Sequence, residues 1–131
     1  MATEQTCLQS VFKDQAQRTP AELAVVSQEG NKTYFDLDQE SDALGAYLRQ
    51  HGVLPNDRVG IFMEICSDYV TSCIGTLKAG GAFMPLALES PDNLLKTILE
   101  KSEPKLVITK QRYLSRLGSF AEILVFVIDT D

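Results

Sequence analysis

The hydrophobic pattern changes period twice between residues 58 and 91. Val59, Ile61 and Phe62 make residues 58–62 a short apolar, β-rich run, which predicts a buried strand. From there the apolar positions are Cys66, Tyr69, Val70, Cys73, Ile74 and Leu77, the i, i+3, i+4, i+7, i+8, i+11 series of one helix face. Ser67 is the expected N-cap, Asp68 suits the positive start and Lys78 the negative end, while Ser72 falls on the polar side. Gly80 and Gly81 can take positive φ and stop the helix. Residues 83–88 then return as an extended segment closed by Pro85 and Pro91. Strand, helix, glycine stop and strand form a βαβ unit with parallel pairing.

The flanking segments extend this layer. Leu8, Val11, Phe12 and Ala16 predict a helix over residues 5–18, ended by Thr19-Pro20. Ala24, Val25 and Val26 form a short strand, and a turn at Glu29-Gly30-Asn31 lets residues 32–34 pair back as a hairpin. Thr33 and Asp36 have the spacing of a capping box. The helix it opens shows Leu37, Leu44, Tyr47 and Leu48 on one face and ends at His51-Gly52. Its acids, Asp36, Asp38, Glu40 and Asp42, lie toward its start and are expected on a solvated face. Gly45 costs roughly 1 kcal/mol relative to alanine inside a helix, which suggests close packing.

Ser90-Pro91-Asp92 reads as N-cap, N1 and N2 of a further helix that buries Leu94, Leu95, Ile98 and Leu99. Residues 105–109 are the next buried strand, and a short helix over 110–117 leads to residues 123–128. That last run is apolar throughout, as in a parallel strand covered on both faces.

Composition narrows the function. The 131 residues suit one domain or a piece of one, with 44% hydrophobic and 23% charged residues. A net charge of −6 with scattered basic residues argues against a nucleic-acid partner. Cys7, Cys66 and Cys73 lack metal-ligand spacing and fit reduced thiols in a cytoplasmic protein. The opening residues have no signal-peptide pattern, and Lys78, the glycine pair and Pro85 interrupt the longest apolar stretch, which excludes a membrane span there.

Candidate chemistry is sparse. His51 sits in a helix C-terminal turn, where capping explains it better than general-base catalysis. Glu64, at the carboxyl end of the central strand, is the one acid placed where a functional carboxylate could sit, although a solvated loop acid has the same sequence appearance. Ser67 has no Gly-x-Ser-x-Gly elbow around it. Lys78-Ala79-Gly80-Gly81 follows a helix C-terminus, whose dipole repels anions, and so reads as a C-cap and not a phosphate cradle.

Several segments, in order, resemble a known family. Phe12-x-x-Gln15-Ala16-x-Arg18-Thr19-Pro20 with Ala24-Val25 is similar to the opening of amino-acid adenylation domains of nonribosomal peptide synthetases. Thr33-Tyr34-x-Asp36-Leu37 and Gly52-Val53-x-Pro55-x-Asp57-Arg58-Val59 resemble stretches of the wider AMP-forming adenylate-synthetase superfamily. Leu77-Lys78-Ala79-Gly80-Gly81-Ala82-Phe83-Met84-Pro85-Leu86 resembles the second core motif of adenylation domains, and Pro104-Lys105-Leu106-Val107-Ile108-Thr109 a later strand. The sequence departs where the family continues with Asp-Pro, having Ala87-Leu88 instead.

The resemblance implies the N-terminal part of an adenylate-forming, acyl-CoA synthetase-like α/β fold, a layered sheet with parallel βαβ units flanked by helices. It implies an enzyme that activates an amino or other carboxylic acid with ATP and Mg2+ and passes the acyl group to phosphopantetheine or coenzyme A. The expected partners are the remainder of the adenylation domain and a carrier domain. The family's phosphate loop, metal and substrate motifs are expected downstream of residues 1–131, so no residue here takes a catalytic, cofactor-binding or metal role, and this chain alone is expected to be inactive. A reading of a different class is a stand-alone α/β interaction module that pairs through its terminal strand.

Overall fold

The computed structural model describes residues 8–27, 30–118 and 123–129. Helix α1 (Leu8–Arg18) leads into a hairpin of β1 (Leu23–Ser27) and β2 (Gly30–Thr33), which pair antiparallel with Val25 opposite Lys32. Next come α2 (Tyr34–Gln50), β3 (Arg58–Phe62), α3 (Ser67–Lys78), β4 (Ala82–Pro85), α4 (Asp92–Ser102), β5 (Leu106–Thr109), α5 (Leu114–Leu117) and β6 (Val125–Val127). The expected residues 5–7 of α1, Cys7, and Glu29 in the hairpin turn lie outside the described residues.

Strands β3 to β6 form one parallel sheet in the order β4-β3-β5-β6. Val59, Ile61, Leu106 and Ile108 point to one face, packed under α2 and α3 with Leu44, Leu48 and Met63. Phe62 and Val107 point to the other, packed with Leu95, Leu99 and Leu117 of α4 and α5. Both inner strands are thus covered on two sides, as their unbroken apolar runs require. Pro85 fits β4 because that strand lies at the sheet edge, where a missing N–H leaves no gap in the ladder.

The predicted stops hold. Thr33 Oγ1 accepts from Asp36 N at 3.1 Å, and Asp36 Oδ2 accepts from Thr33 N at 3.3 Å, so the capping box is complete. Both long helices end in Schellman turns around a left-handed glycine. In α2, Gly52 (φ +93°) precedes Val53, whose N–H reaches Leu48 O. In α3, Gly80 (φ +88°) precedes Gly81, whose N–H reaches Thr76 O.

Five expectations are corrected. Helix α3 buries Ser67, Thr71, Ser72, Gly75 and Thr76 most deeply, while Tyr69, Val70, Cys73, Ile74 and Leu77 are half-buried. Gly75 faces α2, and a Cβ on Gly45 would lie 3.2 Å from Gly75 O, so the two backbones pass close together there. The N-cap of α3 is Cys66, without a side-chain cap, because Ser67 has turned inward as the first helical residue. Pro91, not Ser90, caps α4; Arg116 of α5 holds that turn by donating to Leu88 O, Ser90 O and Asp92 Oδ1. Leu94 is exposed because Leu95 and Leu99, one turn apart, define the buried line of α4. Strand β6, expected to be covered on both faces, is half-buried because it is the outermost strand among the described residues.

Candidate functional site at the switch point of the sheet

The chain runs from β3 outward to β4, then crosses back over β3 to β5 and β6. Helix α3 therefore leaves β3 toward one face, and the turn after β5 leaves toward the other. In open α/β sheets the crevice for ligands opens at this point, beyond the carboxyl ends of the two diverging strands. Here those ends are Phe62 of β3 and Thr109 of β5, joined by a buried hydrogen bond from Thr109 Oγ1 to Phe62 O at 2.6 Å.

Glu64 follows β3 and Lys110 follows β5, so the topology brings them together across the crevice. Lys110 Nζ donates to Glu64 Oε2 at 2.8 Å, Arg112 Nη2 to the same oxygen at 2.9 Å, and Tyr113 Oη to Oε1 at 2.8 Å. Lys110 is only 2% exposed, so its charge needs a nearby anion. Burial pushes the Glu64 carboxyl up, but the bonds from Lys110 and Tyr113, a backbone hydrogen bond and the Lys110 charge outweigh it and bring its pKa to about 2. The same contact with Glu64 raises the Tyr113 phenol. A carboxylate ionised throughout the neutral range is a poor general acid or base. The cluster's geometry instead suits a latch between strand ends.

Glu64 was legible from sequence as an acid at a strand end; its partners were not. Lys110, Arg112 and Tyr113 read as the start of a short helix, whereas residues Gln111–Tyr113 form a single 3-10 turn that aims all three side chains back at β3. The usable signal was Lys110 itself, a cation directly after the apolar run Leu106–Ile108 and Thr109.

The other candidates resolve into structural parts. His51 Nδ1 lies 2.9 Å from Tyr47 O, and its ring stacks on Tyr47. Ser67 and Ser72 are buried, and Ser72 Oγ donates to Asp68 O at 2.7 Å within its own helix. Burial raises the Cys73 thiol to about 11, which removes it as a thiolate nucleophile at neutral pH.

The acids of α2 lie on an exposed face as expected, except that Asp38 is half-buried, and three of them are ion-paired. Lys78 Nζ donates to Asp38 Oδ1 and Asp42 Oδ1, each at 2.7 Å, and Lys13 Nζ reaches the second oxygens of both, each at 3.2 Å. Glu40 pairs with Lys32. The charges sit there because α1 and α3 bring lysines against this side of α2. Paired in this way they do not offer a metal site, and no group of three potential His, Cys, Asp or Glu ligands occurs among the described residues. Gly81 does not offer a phosphate cradle either: a Cβ there would lie 3.0 Å from Asp57 O, so the space is filled by the chain. Neither the acids of α2 nor the Gly80-Gly81 turn therefore fits Mg2+ or a nucleotide phosphate. No described helix is long and apolar enough to cross a membrane.

A family model described as AMP-binding enzyme matches residues 12–130. Zwittermicin A synthase ZmaJ of Bacillus cereus is 37% identical over 125 residues, covering 95% of this chain and 24% of ZmaJ. Gramicidin S synthase 2 of Brevibacillus brevis is 32% identical over 114 residues, covering 87% of this chain and 3% of that protein. Among solved structures, the nonribosomal peptide synthetase FmoA3 in its alpha-methyl-L-serine-AMP bound form superposes with a TM-score of 0.91 at 36% identity, over 96% of this chain and 14% of that one. The chain thus spans a quarter or less of the length of these relatives.

Proposed function

The chain belongs to the AMP-binding enzyme family, and from that membership we propose that it is an N-terminal supporting layer of an adenylation domain of the nonribosomal peptide synthetase type. In the whole domain a carboxylate oxygen of an amino or other carboxylic acid attacks the α-phosphorus of ATP, pyrophosphate leaves, and a thiol then takes the acyl group as AMP departs. The alpha-methyl-L-serine-AMP bound to FmoA3 supports an aminoacyl adenylate as the intermediate. The role of this chain is to hold a doubly wound sheet on which those steps are assembled, and by itself it does not adenylate.

The observation that carries this reading is the switch-point crevice, where Glu64 is engaged by Lys110, Arg112 and Tyr113. Groups that satisfy one another in this way leave a phosphate or carboxylate ligand nothing to bind without breaking an ion pair. ATP–pyrophosphate exchange on the purified 131-residue chain, with a panel of amino and aryl acids, is expected to stay at background. Acid-dependent exchange above background would overturn the assignment.

A further inference from the structure

Three helices meet at a closed ring of four charges. Lys78 of α3 donates to Asp38 and Asp42 of α2, and Lys13 of α1 donates to the same two acids. Cation and anion alternate around the ring, and its two sides differ in exposure. The Lys78 and Asp38 side chains are 11% and 15% exposed, those of Lys13 and Asp42 44% and 48%. Salt screens exposed pairs strongly and buried pairs much less. The α1 side of the ring is therefore the side that salt weakens first.

Among the described residues, little else holds α1. Ala16 is its single buried residue, and Leu8 and Val11 are exposed. Phe12 is half-buried, with its ring 5.9 Å from that of Tyr34 and the Lys78 ammonium 5.4 Å from its centre. Gln9 Nε2 donates to Leu77 O at 3.1 Å. A cleft of about 460 Å³ runs along the junction, lined by polar side chains such as Ser10, Gln17 and Asp42, and it admits water and ions to the ring. The chain is secured again just beyond the helix. Pro20 O accepts from Phe35 N at 3.0 Å, and Glu22 O accepts from Tyr34 N at 2.9 Å. Residues 20–22 are thus bonded to the start of α2, and Thr19 lies between that anchor and α1.

We infer that α1 is a salt-sensitive strap, which undocks as a unit about Thr19 when the Lys13 pairs are screened and leaves α2 and α3 packed. An isolated helix of this length is marginal in water, so α1 melts once it undocks. The α2–α3 contact does not depend on it, because that contact rests on the close approach at Gly45 and Gly75 and on the buried Lys78–Asp38 pair. Lys78 thereby has a part that helix capping does not give it: it holds both acids in place for Lys13. The inference concerns only the junction of α1 with α2 and α3, and it is independent of the adenylation reading.

Native-state amide exchange on the unaltered chain, followed by NMR from about 0.01 to about 1 M sodium chloride, tests it. The amides of Lys13, Gln15, Ala16 and Gln17 should open together, and open about fivefold more often at high salt. Those of Leu44, Leu48 and Thr76 should not respond. Lys13→Met, which preserves helix propensity, should give α1 its high-salt behaviour already at low salt and abolish the salt response. Opening of α1 only together with α2 and α3, an α1 indifferent to salt, or a Lys13→Met chain that matches the parent would overturn the inference. Exchange that slows steadily from Leu8 inward and ignores Lys13→Met would also overturn it, in favour of simple end fraying.

Discussion

Helix α4 reaches its face of the sheet through Leu95 and Leu99, which insert beside Phe62, Leu86 and Val107. On the opposite side, α3 meets α2 where Gly75 lies against Leu44 and Gly45, with no side chain of its own to hold the helices apart. The leucine side fills space with side chains, whereas the α2–α3 contact removes space by bringing helices together. Both exclude water, but they fail differently: one is sensitive to lost volume and the other to added volume. The second mode is invisible to hydrophobic periodicity, because serine, threonine and glycine score as polar or neutral.

The largest expected effect is on the leucine side. Leu95 is fully buried, and Leu95→Ala should cost about 3 kcal/mol in urea unfolding through lost burial and the cavity left behind. A loss below about 1 kcal/mol would mean that this face relaxes around the deletion, and the contrast between the two sides would fail.

Between the two faces lies the Glu64 latch, which tests whether charge and not packing joins the strand ends. Glu64→Gln removes the negative charge that Lys110 and Arg112 share and on which Tyr113 Oη donates. Solvent screening at the partly exposed carboxylate reduces the loss to about 2 kcal/mol. The sign with pH follows from the lowered pKa, about 2 against an ordinary 4.5. Such a group contributes its full stability above pH 4.5 and loses it as pH falls toward 2. The stability difference between parent and Glu64→Gln should be constant near neutrality and narrow over that acid window. A difference that stays constant into acid would remove the latch.

Much of this fold was readable in the chain. The capping box at Thr33, the glycine stops after α2 and α3, and the run Arg58–Phe62 each depend on a few neighbouring residues, so local rules suffice for them. What escaped depends on residues distant in sequence. Asp38 looks solvated until α1 and α3 bring Lys13 and Lys78 to it, and Glu64 looks like a loop acid until β5 delivers Lys110. The face of α3 was misread for a related reason: the pattern that ranks Val70 and Ile74 above Ser72 and Thr76 assumes that depth follows hydrophobicity. Beside a second helix with a glycine in contact, depth follows size.

That claim can be tested on α3 itself, where size and polarity separate. A Cβ on Gly75 would lie 2.8 Å from Leu44 Cδ2 and 3.0 Å from Leu44 Cβ, so the overlap reaches the rigid base of that side chain. Alanine gains about 1 kcal/mol of helix propensity over glycine, and overpacking of this kind costs roughly 1–3 kcal/mol. Gly75→Ala should therefore lower stability by about 1 kcal/mol, with the loss reduced in a Leu44→Ala background because the two sites share one contact. Ser72 is equally buried, but its hydroxyl bonds only to Asp68 O of its own helix, and alanine removes no volume that α2 relies on. Ser72→Ala should stay within about 0.5 kcal/mol of the parent. If deleting the buried hydroxyl costs as much as adding the methyl, the α2–α3 contact is held by polar bonding and not by close approach, and the two sides of the sheet differ for another reason.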